Sequence, residues 1–106
     1  MTAGLSPVKP GRFVLSGDVD VWNTPVLVEQ GWQLLVSQEE KELVIDMSAI
    51  GQADSSALAM LLSWLRRAKG RQMRLSFCGF SQDLMALAKV CDIESMLPII
   101  PSENLG

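Results

Sequence analysis

The rhythm of apolar positions changes along this chain, and each change predicts an element. Arg12-Phe13-Val14-Leu15-Ser16-Gly17-Asp18 is a short aromatic and β-branched run closed by a Gly-Asp turn signal. It predicts a first strand with Asp18 and Asp20 at its loop end. Thr24-Pro25 has the order N-cap then N1 and predicts a helix start, with Val28, Trp32 and Leu35 at i, i+4 and i+7 forming one apolar stripe. Gly31 in its middle costs up to about 1 kcal/mol relative to Ala. The helix is expected to fade in the polar run from Ser37 to Glu42. Leu43-Val44-Ile45 is then a continuous apolar run bounded by charge, the pattern of a central strand covered on both faces.

From Ser55 to about Lys69 the period becomes 3.6. Leu58, Leu61, Leu62, Leu65 and Ala68 share a face, while Arg66, Arg67 and Lys69 gather at the end where cations suit the helix dipole and Gly70 is a natural stop. Met73 to Phe77 predicts another strand, followed by a turn at Gly79. Ser81 is placed to cap a third helix in which Leu84, Leu87, Ala88 and Cys91 share a face. The Leu97-Pro98-Ile99-Ile100-Pro101 stretch adds at most a short edge strand, because proline cannot donate to a ladder. Alternation of strand and helix implies an α/β domain whose sheet is parallel around the Leu43 and Arg74 strands, joined by a right-handed crossover. Residues 1–11, with two prolines and two glycines, read as a flexible arm; 12–100 form a single domain and 101–106 a tail.

Composition narrows the function. With 106 residues, 48% of them hydrophobic, there is material for one domain with a sizeable core. Nine basic against twelve acidic residues give a net charge of −3, which offers no footprint for a phosphate backbone and argues against nucleic-acid binding. The absence of histidine removes Ser-His-Asp and Cys-His constellations and the commonest metal ligand. No GxxxxGK[ST] or GxGxxG motif occurs, so a catalytic role, a metal and a cofactor are all unexpected. Cys78 and Cys91 sit in apolar segments without CxxC spacing and read as small core hydrophobes of a reduced, cytoplasmic protein. The longest oily stretch, about Ala57 to Leu65, is far below the roughly 20 residues that span a bilayer, and the first ten residues lack a signal-peptide core. The expectation is a protein that neither inserts in a membrane nor is exported.

The most informative stretch is Asp54-Ser55-Ser56, where a strand hands over to the longest helix. Backbone N–H groups at a helix start lack partners and the macrodipole is positive there. A hydroxyl at Ser55 can therefore cap the helix, carry a phosphate or anchor a partner. Asp54 suits the dipole and is a secondary candidate acceptor for a partner. Met60 and Trp64 lie four apart, turned away from the leucine face and beside Ser56, Ser63 and Arg67. They either pack against a neighbouring helix or form a contact stripe, since an aromatic and a Met flanked by Arg match the composition of binding hot spots. Trp22 and Trp32 are expected to pack, with exposure of Trp22 near Asp54 the alternative because it follows the Asp18-Val19-Asp20 loop. Functional loops gather at the carboxyl ends of parallel strands, so Asp18 to Trp22, Gln52 to Ser56 and Gly79 to Gln82 are expected to form one surface.

The strand Leu43 to Ser48, the loop Ala53-Asp54-Ser55-Ser56, the helix Leu58 to Leu62 and the later Leu87-Ala88-Lys89-Val90-Cys91 resemble the STAS domain family, over about Arg12 to Pro98. The resemblance implies a STAS-type fold, a mixed central sheet of about four strands with three to four helices packed on it. Within the family, Leu58 to Lys69 and Leu84 to Pro98 look closest to MlaB-type subunits of phospholipid-transporting ABC complexes. That likeness implies a non-catalytic subunit, cytoplasmic and peripheral to the inner membrane, which binds and regulates or stabilises the ATPase subunit. The family's loop motif carries over with Asp54 in the acidic position and Ser55 in the hydroxyl position, the phosphoacceptor in anti-sigma factor antagonists. Ala57 departs from the family's usual glycine, which counts against kinase-style docking. The expected partner-binding set is Asp54, Ser55, Ser56, Ala57, Met60, Trp64 and Arg67, with Ser55 also a candidate phosphoacceptor. An anti-sigma factor antagonist regulated by phosphorylation of Ser55 is the alternative.

Overall fold

A computed structural model describes residues 3–101. Within them the chain forms β1 (Gly4–Lys9), β2 (Arg12–Val19), α1 (Thr24–Val36), β3 (Glu42–Asp46), β4 (Ile50–Ala53), α2 (Ser55–Gly70), β5 (Arg74–Cys78) and α3 (Gln82–Val90), then a 3-10 turn at Glu94–Met96. The main sheet has the order β1-β2-β3-β5, with β1 antiparallel to β2 and the other three parallel. β2 is long enough for two partners in one lane: Arg12 to Val14 pair with β3, and Gly17 and Val19 pair with β4. The parallel pairing of β3 with β5 expected from the alternation is present, and the sheet is mixed as the family resemblance implied, with five strands where about four were expected.

Two strands depart from the sequence reading. The segment expected as a flexible arm contains β1, in which Leu5 lies opposite Leu15 and packs partly against the core. Pro7 sits on this edge strand and Pro10 just beyond it, where a missing N–H costs little. β4 occupies what read as loop, because four residues containing Gly51 and Gln52 show no alternation for a pattern to detect. At the other edge, Ile99 forms a parallel bridge with Phe77, and the Phe77 N–H donates to the Pro98 carbonyl at 2.8 Å, the short edge piece that was expected. Of the 101–106 tail, residues 102–106 lie outside the described residues.

The core lies on one side of the sheet. Phe13, Leu15, Leu43, Ile45, Leu75 and Phe77 are buried, while the alternate positions Val14, Val44, Asp46 and Ser76 are only partly so. β2, β3 and β5 follow one another in the same direction across the sheet, so right-handed crossovers place α1 and α2 on the same face. This corrects the expectation of a central strand covered on both faces. The run Leu43-Val44-Ile45 is apolar throughout, yet only Leu43 and Ile45 are in the core.

Helix α1 begins one residue earlier than read: Asn23 is the N-cap residue, and Thr24 and Pro25 open the helix. Its buried stripe is Leu27, Gly31 and Leu35, with Val28 and Trp32 at its margin. The pattern missed this because Gly31 has no side chain to count. In the fold it is a contact position, since a Cβ there would overlap the Trp64 indole. Helix α2 is the central helix, burying Leu58, Leu61 and Ala68 with Ala57, Met60 and Trp64. It runs through Gly70, and the reversal falls at Gln72, whose φ is 59°. Cys78 is buried as expected, whereas Cys91, at the C-cap of α3, is exposed.

Candidate partner-binding site

At the carboxyl end of the parallel strands, β4 runs straight into α2 through Asp54. Asp54 is extended, with φ −113° and ψ −172°, and its Oδ1 accepts the Ser56 N–H at 2.9 Å. The Ser56 hydroxyl donates to the same oxygen. These bonds, the hydroxyl first and the backbone N–H second, hold the Asp54 carboxyl below its ordinary value of 3.8, and the backbone N–H groups of Val21 and Asp54 lower it further. The cap is therefore Asp54, which corrects the capping role weighed for Ser55. Ser55 is exposed on the first turn and, among the described residues, makes no side-chain hydrogen bond. Its hydroxyl is presented to solvent rather than consumed by the fold.

Neighbouring loops are tied to this junction. Asp18 Oδ1 accepts the Gln52 N–H at 2.8 Å, and a Cβ at the neighbouring Gly51 would displace the Asp18 carboxylate from this position. The Asp54 N–H donates to the Val19 carbonyl at 3.3 Å. Asp20 Oδ1 accepts from the N–H groups of Trp22 and Asn23 at 2.8 and 3.0 Å. Asn23 in turn accepts from the Asp20 N–H and donates to the Asp18 carbonyl. On the other side, Ser81 caps α3 by accepting the Leu84 N–H at 3.0 Å, as read from sequence. A cleft of about 480 Å³ separates its first turns from Ile50 to Ala53. The three loops expected to form one surface do adjoin.

The expected contact residues divide into two groups. Asp54 and Ser55 are exposed, and Ser56 and Arg67 are partly exposed. Ala57 and Trp64 face inward with no accessible surface, which removes them from a contact surface. Trp64 fills the gap above Gly31 and donates its Nε1–H to the Val28 carbonyl at 3.0 Å, so the second face of α2 packs on α1 instead of pointing outward. Met60 is 3% exposed and contributes to the floor of a groove of about 280 Å³ between the starts of α1 and α2. Arg67 is held by Glu29 at 2.8 Å and stands over the Trp32 ring at 5.8 Å. That ion pair lowers the Glu29 pKa and raises that of Arg67. The loop-tying roles of Asp18 and Asp20 escaped the sequence reading. Asp-x-Asp before a helix was visible, but nothing local pairs Asp18 with Gln52.

This end of the molecule presents a free hydroxyl, carboxylates and apolar surface. Helices on one face of a mixed sheet, with a serine-bearing helix start at its carboxyl end, are the architecture of a STAS domain. The chain belongs to the STAS domain family, matched over residues 6–99 by the profile described as "Mlab, STAS domain". Among solved structures it is similar to a chain of the Acinetobacter MlaFEDB complex in an ATP-bound conformation, at 22% identity and TM-score 0.73, covering 84% of this chain and 93% of that one. It is equally similar in fold to an anti-sigma factor antagonist from Mycobacterium paratuberculosis, at 21% identity and TM-score 0.74, covering 97% and 87%. The unphosphorylated anti-sigma factor antagonist SpoIIAA matches at 12% identity and TM-score 0.73, covering 98% and 92%. At these identities the likeness is one of fold.

Proposed function

We propose that this chain is a non-catalytic STAS subunit that binds the ATPase subunit of an ABC phospholipid transporter maintaining outer-membrane lipid asymmetry. It works in the cytoplasm, peripheral to the inner membrane through that complex. The observation that carries the reading is the match of residues 6–99 to the Mlab profile. The exposed Ser55 hydroxyl, set on a helix that Asp54 already caps, supports this end as the docking point. A subunit of this kind stabilises its partner by mass action and biases the ATPase between conformations by its differential affinity for them. Asp54, Ser55 and Ser56 are the contacts, with Met60 beneath and Arg67 at the margin.

The test is co-purification with the cognate ATPase subunit, using Ser55→Glu as the probe. A carboxylate suits a helix start, so the variant folds with an unchanged far-UV spectrum. Its longer side chain at the middle of a close contact abolishes capture. Full retention of binding would remove the hydroxyl junction from the mechanism. Capture of a serine kinase with phosphate on Ser55, in place of the ATPase, would replace this reading with that of an anti-sigma factor antagonist.

A further inference from the structure

Trp22, expected to pack, is instead 87% exposed, the most exposed of the large hydrophobic residues described; Val21, next to it in sequence, and Val26, on the first turn of α1, are 58% exposed each. A large aromatic left in water beside other apolar groups marks a contact surface. Nor is Trp22 on a slack loop. Asp20 Oδ1 fixes the Trp22 and Asn23 N–H groups, and Asn23 ties back to Asp18 and Asp20, so the backbone that carries the indole is preset. A preset backbone lowers the ordering cost of binding. The Asp54 N–H donates to the Val19 carbonyl at 3.3 Å, which joins this turn to the Ser55 junction.

Charge decides what covers it. Asp18, Asp20, Asp46, Asp54 and Asp83 all lie at the carboxyl end of the parallel strands or the helix starts beside it. All nine Lys and Arg residues lie away from it: on the later turns of α2 and α3, around the β1–β2 turn, and ahead of or at the start of β3 and β5. The net charge of −3 hides this separation. Three helix N-termini at the same end supply about +0.5 each, too little to neutralise five carboxylates. The surface around Trp22 is apolar at its centre and anionic at its rim.

Resting on the proposed function, we infer that the ATPase subunit docks through a basic-rimmed apolar pocket that receives Trp22, with its Lys or Arg side chains opposite Asp18 and Asp20. The tryptophan anchors the complex, and the carboxylates steer encounter. Rim charges act mainly on the association rate and a buried aromatic mainly on dissociation, so the two parts are separable.

The experiment measures binding kinetics to the purified cognate ATPase subunit from about 0.05 M to about 0.5 M salt, a range over which surface electrostatics is progressively screened. Trp22→Ala removes the anchor from an exposed position without touching the core. The Asp18→Asn/Asp20→Asn pair removes two charges while keeping the Oδ1 acceptors that hold Gln52, Trp22 and Asn23. The expected results are at least about tenfold faster dissociation for Trp22→Ala and association at least about threefold slower at low salt, with a flatter salt dependence, for the Asn pair. Less than about a threefold change in either variant's own readout overturns the inference while leaving the proposed function standing. A wild-type chain that fails to bind the ATPase subunit at all overturns both.

Discussion

One residue separates the oxygen that caps α2 from the oxygen that faces solvent. Asp and Ser are near-equal N-cap residues, so the sequence Asp54-Ser55 cannot decide between them. The decision comes from the Ser56 hydroxyl and N–H, which converge on the Asp54 carboxylate. That choice has a pH signature. Bonds to the ionised form depress the folded-state pKa of Asp54 below its ordinary 3.8, so the stabilisation is complete above that value and is lost as pH falls through the lower, folded value. Asp54→Asn keeps an acceptor for Ser56 but cannot titrate. Melting curves from about pH 5 to about pH 2 should show wild type losing stability more steeply than the variant in the lower part of that window. Parallel curves would return the cap to another residue.

At the scale of elements, periodicity recovered α2 and α3 nearly residue by residue and misjudged what the second face of α2 does. Met60 and Trp64 were visible as a stripe four residues apart, but a stripe is silent about whether another helix or solvent lies opposite. The missing information was Gly31, which sequence reading counts as a weakness of α1 and the fold uses as the space for the indole. Gly31→Ala therefore sets two effects against each other. Helix propensity gains up to about 1 kcal/mol, whereas forcing a methyl into a filled core costs about 1–3 kcal/mol. The overlap is with ring atoms of a fully buried tryptophan that cannot swing away, so the steric cost wins and the variant is less stable by about 1 kcal/mol or more in urea unfolding. Adding Trp64→Phe, which removes the clashing ring, should return part of that loss. Additive effects of the two substitutions would mean that they do not meet.

For the molecule as a whole, the sheet has one covered face and one open face, and this governs which substitutions the fold can bear. The order of elements and the parallel pairing of β3 with β5 were legible, because alternation and crossover handedness are strong constraints. The one-sidedness was not legible at Leu43-Val44-Ile45, where three apolar residues in a row imitate a strand buried on both faces. Topology supplies the correction: β2, β3 and β5 advance in one direction, so both crossover helices fall on the same side. Val44 and Ile45 are adjacent in sequence and on opposite faces, which makes them a controlled pair. Ile45→Ala empties a site with no accessible surface and should cost about 2–5 kcal/mol. Val44 is partly exposed already, so Val44→Ala loses less transfer energy and leaves no closed cavity, and it should cost about 1 kcal/mol or less. Equal losses for the two, read from chemical denaturation midpoints at unchanged slope, would mean that something covers the second face.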